Sequence, residues 1–255
     1  MSRLSVVLPA YNEEQMLAKT CRTLKKILDL AEINYELVIV DDGSTDQTWK
    51  IIEETAEKDR NVTGVHFSRN FGKEAAIYAG LKNASGDLVA IMDADLQDPP
   101  ALLPEMYHAI MEEGYDSAAT RRVDRKGEPP VRSFFARKFY KLMNNISNTD
   151  IVDGARDYRL MNRKFVNALL ELGEYNRFSK GLFGWVGFKT KWIEFENVER
   201  VAGETKWSFW KLFRYSIEGI VAFSTAPLAL AAVLGVIICI LGAIAIVFIV
   251  VRQLA

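Results

Sequence analysis

The chain has 255 residues, of which 49% are hydrophobic, and its formal net charge is −1. Length and apolar content suffice for a sizeable core in one large domain or two small ones. The near-zero charge argues against a general nucleic-acid-binding protein, and two cysteines with two histidines argue against a disulfide framework or a zinc site.

Strand-like and helix-like segments alternate along the first half of the chain. Short apolar runs predict strands at Leu4–Leu8, Leu37–Val40, Val62–Phe67, Leu88–Met92, Ser117–Thr120 and, later, Lys189–Glu196. Helical periodicity between them predicts helices at about Glu13–Leu30, Thr45–Lys58, Lys73–Asn83 and Ala101–Glu113. This alternation predicts an α/β fold with a mostly parallel sheet covered on both faces.

Polar loops follow the first four predicted strands. They comprise Pro9–Glu14, Asp41–Asp46, Ser68–Lys73 and Asp93–Asp98. In folds of this class, ligands bind beyond the carboxyl ends of the strands. We therefore expect the four loops to converge at one edge of the sheet and to form the functional site there.

Asp93 and Asp95 are the strongest chemical signal in the chain. Two carboxylates in one tight loop repel each other unless a cation lies between them, and hard oxygen ligands suit Mg²⁺ or Mn²⁺. Such an ion would bridge to a diphosphate, and Gln97 could add a neutral oxygen ligand. The alternative is turn and capping chemistry, in which Asp98 caps the helix that begins near Pro99.

The other loops carry residues suited to a nucleotide. Asp41 or Asp42 could accept the ring N–H of a uracil base. Tyr11 could stack on that base, with ordinary packing as the alternative, and Glu13 could hold ribose hydroxyls. Lys73, at the start of a predicted helix, could meet the diphosphate; a solvated lysine is the alternative.

Three motifs in this order and spacing resemble one family of enzymes. They are Val7–Glu14, Val40–Asp46 and Asp93–Gln97. From Val6 to about Pro227 the chain resembles the family 2 inverting glycosyltransferases with the GT-A fold. More narrowly, it resembles the polyprenyl-phosphate glycosyltransferases, which include bactoprenol glucosyltransferases and dolichyl-phosphate mannose synthases.

The resemblance implies a role for each matching residue. Those implied to bind the nucleotide are Pro9, Tyr11, Glu13, Asp41, Asp42, Lys73 and Asp93. Those implied to coordinate Mg²⁺ or Mn²⁺ are Asp93, Asp95 and Gln97. Contacts to an acceptor phosphate are implied for Arg121, Arg132, Arg137, Arg159, Arg200 and Lys206. The predicted catalytic residues are Asp95, Asp157 and Arg132, with Asp157 as a polar participant near the sugar or the acceptor.

A basic segment agrees with a phosphate as the acceptor. Between Arg121 and Lys141 the chain has eight lysines or arginines and two acidic residues. A phosphate monoester is already ionised near neutral pH, since its second pKa is about 6. It therefore needs bidentate arginine contacts rather than a general base. The alternative is attraction of this segment to anionic lipid headgroups, and we expect the arginines to share both duties.

The C-terminal part predicts attachment to a membrane. Ala226–Val251 has no charged residue, and as a helix it would span about 39 Å, against about 30 Å of hydrocarbon. Trp207–Phe223 has the periodicity of an amphipathic helix in the interface, or of one packed on the domain. Lys206, Lys211 and Arg214 before the span, and no signal peptide at the start, predict a cytoplasmic catalytic domain.

We therefore expect a GT-A domain over residues 1–205, an interfacial helix over 206–224 and a membrane helix over 226–251. The predicted reaction transfers glucose from UDP-glucose to undecaprenyl phosphate at the cytoplasmic face of the cell (inner or plasma) membrane. The expected partners are the nucleotide sugar, the polyprenyl phosphate and the membrane, with a homo-oligomer left open and no nucleic acid. The alternatives are transfer of mannose or N-acetylglucosamine, a processive polysaccharide synthase, whose Q-x-x-R-W motif is absent, and a non-catalytic scaffold that binds sugar nucleotides.

Overall fold

The computed structural model describes residues 2–123, 152, 154–174, 177–195, 217 and 219–254. Within this part of the chain, seven strands form one sheet, and helices pack on both of its faces. Several predicted features lie outside the described residues: Arg132, Arg137, Arg200, Lys206 and most of the amphipathic segment Trp207–Phe223.

The predicted, mostly parallel sheet is confirmed. Its strands are β1 (Leu4–Ala10), β2 (Tyr35–Asp41), β3 (Val62–His66), β4 (Leu88–Ile91), β5 (Ser117–Arg122), β6 (Ala155–Asn162) and β7 (Thr190–Phe195). They lie in the order β3-β2-β1-β4-β6-β5-β7. Strand β6, which the sequence pattern did not predict, is antiparallel to both of its neighbours, β4 and β5.

The described helices are α1 (Leu17–Leu30), α2 (Thr48–Lys58), α3 (Lys73–Asn83), α4 (Leu103–Met111), α5 (Arg163–Glu171), α6 (Ser179–Trp185) and α7 (Ala226–Leu254). Three predicted starts, at Glu13, Thr45 and Ala101, come too early. The residues at the first two of these starts bond to other elements instead: Glu13 N–H donates to Thr48 Oγ1 of α2 at 2.8 Å, and Thr45 N–H donates to Asn12 Oδ1 of the first loop at 2.9 Å. A 3₁₀ turn, Pro100–Leu102, takes the first positions before α4.

The sheet separates two apolar layers. Leu8 on one face of β1 packs in the layer that contains α1 and α4, whereas Val7 on the other face packs with α3, α5 and α6. Successive strand residues point to opposite faces. Consecutive residues of β6 therefore reach different sides of the sheet: Leu160 lies in the first layer and Met161 in the second.

The last helix is apolar from Ala226 to Val251 and carries Arg252 and Gln253 in its last turn. Helix α7 has 29 residues, its most apolar window has a mean hydropathy of 3.3, and none of that window is buried against the described protein. A helix of this length and composition is long enough to cross a bilayer. The structure therefore confirms a helix over the predicted span and leaves its apolar surface without cover from the described residues.

Candidate functional site

The polar loops meet at one edge of the sheet, as predicted. Asn12 N–H donates to Ser44 Oγ at 2.9 Å and joins the first two loops. The Asp42 carboxylate accepts hydrogen bonds from Phe71 N–H at 2.7 Å and Gly72 N–H at 2.9 Å, which joins the second loop to the third. Because these bonds run between loops far apart in sequence, they hold the ends of β1, β2 and β3 together at one edge of the sheet.

A glycine permits the close approach of two of these loops. Gly43 has a φ of +66°, and a Cβ added there would overlap the Arg69 carbonyl carbon. The left-handed backbone favours glycine, and the contact with Arg69 leaves no space for a side chain. Gly43 therefore has a structural role, because it lets the second loop pack directly against the backbone of the third loop.

Asp41 and Asp42, the first two acids of the second loop, are buried. Asp41 is fully buried, and its carboxylate lies 2.7 Å from His66 Nδ1 and accepts Ser44 N–H at 3.2 Å. Asp42 also accepts a hydrogen bond from Asn70 Nδ2 at 2.9 Å. Burial raises the pKa of Asp42, and the backbone N–H groups of the third loop oppose that effect. These carboxylates hold the loops together, and their contact with a base stays a prediction.

Lys73 connects the third loop to the fourth and to β6. Its Nζ lies 2.6 Å from Asp93 Oδ1 and 2.7 Å from Asp157 Oδ2. Burial alone lowers the pKa of Lys73, but Asp157 and Asp93 raise it above its ordinary value, so the ammonium stays charged. In the same way, burial works against ionisation of Asp157, and Lys73 nevertheless holds its pKa well below the usual range. The alternative of a solvated Lys73 is therefore wrong, and three predicted site residues come together.

A second ion pair lies behind Asp93. Asp98 is fully buried and accepts a hydrogen bond from Arg156 Nε at 2.8 Å, while Arg156 Nη2 lies 4.0 Å from Asp93 Oδ2. The interpretation of Asp98 as a helix N-cap is wrong, because Pro99 holds that position and no side chain caps the turn. Sequence reasoning missed Arg156; its one signal was its position next to Asp157, and its partner is distant in sequence.

We expect Asp98→Asn to lower the free energy of unfolding by about 3 kcal/mol, because it leaves the Arg156 charge poorly compensated in a buried position. Chemical denaturation of the full-length protein in detergent measures the change. The double variant Asp98→Asn, Arg156→Met should recover part of the loss. Glu112→Gln, in an ion pair whose carboxylate side chain is 68% exposed, is the matched control and should change stability little. A double variant as unstable as the sum of the two single variants would contradict the pairing.

The proposed metal ligands lie in one folded loop after β4. Asp95 is buried and its Oδ1 accepts Gln97 N–H at 3.1 Å, while Leu96 between them has a φ of +57°. Among the described residues, no three or more His, Cys, Asp or Glu side chains are grouped to hold a metal ion by themselves. Two carboxylates and an amide fit a divalent ion whose remaining ligands are diphosphate oxygens and water, the usual arrangement for Mg²⁺.

The residues predicted to contact the nucleoside lie near the end of β1 and in the loop that follows it. Pro9 is paired with Val40 inside the sheet. Tyr11 follows β1 with its side chain 36% exposed, which leaves part of the ring accessible for stacking. Glu13 belongs to the loop that bonds to the second loop and α2. Their contacts to a nucleotide stay predictions.

Two predicted acceptor residues fall within the described part of the chain. Arg121 Nε donates to Glu194 Oε1 at 3.0 Å on the surface between β5 and β7, and its contact with a phosphate stays a prediction. Arg159 is buried on β6, with its guanidinium over the Phe183 ring. The two arginines are thus not equivalent: one is an exposed partner of a carboxylate, and the other is a buried cation.

Comparison with known proteins agrees with this architecture. A family model described as Glycosyl transferase family 2 matches residues 5–170. The Bacillus subtilis (strain 168) protein CsbB, named as a glycosyltransferase, is 44% identical over 239 residues, which cover 94% of this chain and 72% of that protein. The bactoprenol glucosyl transferase of Shigella phage SfV is 40% identical over 226 residues, which cover 89% of this chain and 73% of that protein.

A solved structure shows the same fold. Glucosyl-3-phosphoglycerate synthase from Mycobacterium tuberculosis, in complex with Mn²⁺, UDP-glucose and phosphoglyceric acid, matches with a TM-score of 0.58 and 21% identity, over 86% of this chain and 77% of that chain. The family model spans all four polar loops, Lys73, Asp93 and Asp157. The chain therefore belongs to glycosyl transferase family 2, and it is a glycosyltransferase with the GT-A fold.

Proposed function

We propose that this glycosyltransferase moves glucose from UDP-glucose to a polyprenyl phosphate, with inversion at the anomeric carbon. The observation that carries the proposal is the meeting of Lys73, Asp93 and Asp157 at the edge of the sheet where the loops converge. Carboxylates can bind a metal ion and a lysine can bind a diphosphate, so this group suits a donor whose diphosphate is bound together with a metal ion. The name of the phage relative, bactoprenol glucosyl transferase, supports the choice of sugar and acceptor.

In this proposal the fourth loop holds the cofactor. Asp93, Asp95 and Gln97 would bind Mg²⁺ or Mn²⁺, which when bound neutralises charge on the departing nucleoside diphosphate. The oxygen-only donor set fits either ion. Lys73, already charged beside Asp93, would contact the same diphosphate and add a second positive charge at the leaving group.

The nucleoside would lie along the first two loops. The accessible ring of Tyr11 would stack on uracil, Glu13 would hold the ribose, and Pro9 would shape the floor beside them. Asp41 and Asp42 would act chiefly by holding the loops in place, since their oxygens already accept hydrogen bonds from the protein. The solved neighbour with UDP-glucose supports a uridine nucleotide as the donor.

The acceptor supplies its own nucleophile. A phosphate oxygen of the lipid attacks the anomeric carbon, the new C–O bond forms as the bond to the diphosphate breaks, and the diphosphate leaves with the electron pair. Because the phosphate is ionised near neutral pH, no proton has to be removed in this step. The groups proposed to position it are Arg121, Arg132, Arg137, Arg159, Arg200 and Lys206. Asp157, kept ionised by Lys73, would orient the sugar or the acceptor.

Helix α7 would anchor the catalytic domain at the cytoplasmic face of the cell membrane. Its length and its uncovered apolar surface support a membrane span. A polyprenyl chain stays in the bilayer while its phosphate stands at the surface. A catalytic domain tethered to the same surface meets the acceptor by lateral diffusion rather than by extracting it from lipid.

Product analysis tests this function. The full-length protein in detergent is mixed with UDP-[¹⁴C]glucose, undecaprenyl phosphate and Mg²⁺ or Mn²⁺, and the organic phase is counted. We expect label in a lipid that appears only with the phosphorylated acceptor and not with undecaprenol. Labelled polymer would instead support a processive synthase. Unchanged donor across a panel of UDP- and GDP-sugars would contradict transferase activity on this lipid.

A further inference from the structure

A pocket of about 250 Å³ opens beside β6 and under helix α6. Two cationic residues, Arg159 and Lys180, and two aromatic residues, Phe183 and Trp192, are among those that line it. The strand register places Arg159, Ala119 and Trp192 in one row across β6, β5 and β7. Across the small Ala119, the guanidinium carbon of Arg159 lies 6.0 Å from the centre of the Trp192 ring, so this row gives the pocket a wall that is both cationic and aromatic.

Arg159 is a buried cation without a matching anion. It is 3% exposed, its Nε has no hydrogen-bond partner, and its guanidinium carbon lies 3.7 Å from the centre of the Phe183 ring. Within the described part of the chain, no carboxylate forms an ion pair with it. Burial accordingly lowers the pKa of Arg159 to about 9, and Asp157 opposes that effect. A buried, unpaired charge is unfavourable for folding, which points to a ligand that supplies the negative charge.

The pocket adjoins the proposed reaction site. Asp157 and Arg159 are two positions apart on β6, so their side chains project from the same face at a separation of about 7 Å. Lys180 lies within Coulombic reach of Asp157, since it contributes to lowering the pKa of that carboxyl. An anion held by Arg159 and Lys180 would therefore lie next to the group that Lys73 connects to the fourth loop.

The pocket also adjoins the segment that leads to α7. Phe223 packs on helix α6: its ring contacts the position of Gly181, and its centre lies 6.0 Å from that of Phe178. Ala226, the first residue of α7, follows three positions later, within about 10 Å of chain. Helix α6 is thus shared by the wall of the pocket and the contact with the chain that enters the apolar helix.

We propose that this pocket binds the phosphate of the lipid acceptor, with Arg159 and Lys180 at the phosphate and Phe183 and Trp192 against the first apolar part of its chain. The inference rests on the proposed function and names the place where its acceptor binds. An amphiphilic phosphate matches both kinds of lining, whereas inorganic phosphate would match only the cationic one. The donor diphosphate has the same oxyanion chemistry, so the test must separate the two sources.

Steady-state kinetics of the full-length protein separates them. We expect Lys180→Met to raise KM for a short-chain polyprenyl phosphate, farnesyl phosphate, at least tenfold and to change KM for UDP-glucose less than twofold. Lys180→Arg keeps the charge and should restore most of the affinity. Lys164→Met removes an exposed lysine of the neighbouring helix α5 and is the matched control, for which both constants should stay unchanged. An equal rise in both KM values would place the donor diphosphate in the pocket, and no rise in either would exclude a phosphate there; both outcomes overturn the proposal.

Arg159→Met provides a second line of evidence that does not require turnover. Replacing an unpaired buried cation with an apolar side chain should leave the melting temperature unchanged or raise it, while binding of farnesyl phosphate, measured by calorimetry against farnesol, should weaken at least tenfold. A lower melting temperature together with unchanged farnesyl phosphate binding would make Arg159 a structural residue and overturn the proposal. If the wild type binds farnesyl phosphate but forms no glucosylated lipid, the proposed function fails and the pocket assignment stands.

Discussion

Asp95→Asn should reduce glucosyl transfer by a factor on the order of 10³, which is the size of effect expected when a group that stabilises transition-state charge is removed. The substitution keeps the shape of the side chain and an oxygen that can accept Gln97 N–H, which lies 3.1 Å from Asp95 Oδ1. It removes the negative charge. The loop should therefore keep its fold while it loses affinity for the divalent ion and, with it, stabilisation of the leaving diphosphate.

Two measurements separate loss of the metal from loss of structure. Electron paramagnetic resonance of Mn²⁺ in the presence of UDP should show weaker binding by Asp95→Asn, whereas its melting temperature should stay close to that of the wild type. Asp29→Asn removes a carboxylate that is 53% exposed on α1 and should alter neither Mn²⁺ binding nor turnover. Full turnover of Asp95→Asn in excess chelator would rule out the assignment of this loop to a metal.

The first half of the fold could be predicted from the sequence because its strands are short apolar runs with clear ends. In β1, β2 and β4 the apolar runs are buried on both faces, and each ends at a polar loop. Helix starts were less accurate, since residues such as Glu13 direct their backbone N–H groups to another element, here the side chain of Thr48 at the start of α2. Local propensity does not contain that information, because the partner lies on another element.

Strand β6 was missed for a physical reason. Arg156, Asp157 and Arg159 place charges on both of its faces, and such a pattern is typical of a loop. Each of these charges has its own surroundings inside the sheet. Arg156 pairs with Asp98 on one face, and on the other face Asp157 pairs with Lys73 and Arg159 lines the aromatic pocket. A strand of this kind can be recognised only after its partners have been placed.

The candidate site was predictable in part for the same reason. The acids after β4 and Lys73 could be assigned to one edge, since the carboxyl ends of parallel strands meet there. The Arg156–Asp98 pair could not, because its members are 58 positions apart and meet only through the antiparallel β6. Charge alternates through the cluster, from Asp98 to Arg156, Asp93, Lys73 and Asp157. Each cation thereby separates carboxylates that would otherwise repel one another.

In this cluster, Lys73 is the counter-ion of Asp93 and Asp157, the two carboxylates nearest to it. A metal bound by Asp93 would compete with this lysine. Its Nζ lies 2.6 Å from Asp93 Oδ1 and 2.7 Å from Asp157 Oδ2. We expect Lys73→Met to have two opposite effects. Mn²⁺ should bind more tightly in the absence of nucleotide, because the two carboxylates lose their cation. Turnover should fall by about 10²-fold, because the diphosphate loses a positive charge at the leaving group.

The two expected effects of Lys73→Met, tighter Mn²⁺ binding and slower turnover, distinguish two roles for the lysine. A lysine that only stabilised the fold would, when replaced, weaken metal binding and turnover together, whereas a lysine that shares its carboxylates with the metal must strengthen the first while the second falls. Lys73→Arg keeps the charge and should leave Mn²⁺ affinity near the wild-type value. Lys50→Met, on the exposed side of α2, controls for the change in net charge. Mn²⁺ titration without UDP, compared with initial rates of glucosyl transfer, decides the matter: weaker or unchanged Mn²⁺ binding by Lys73→Met would show that the lysine does not compete with the metal for Asp93.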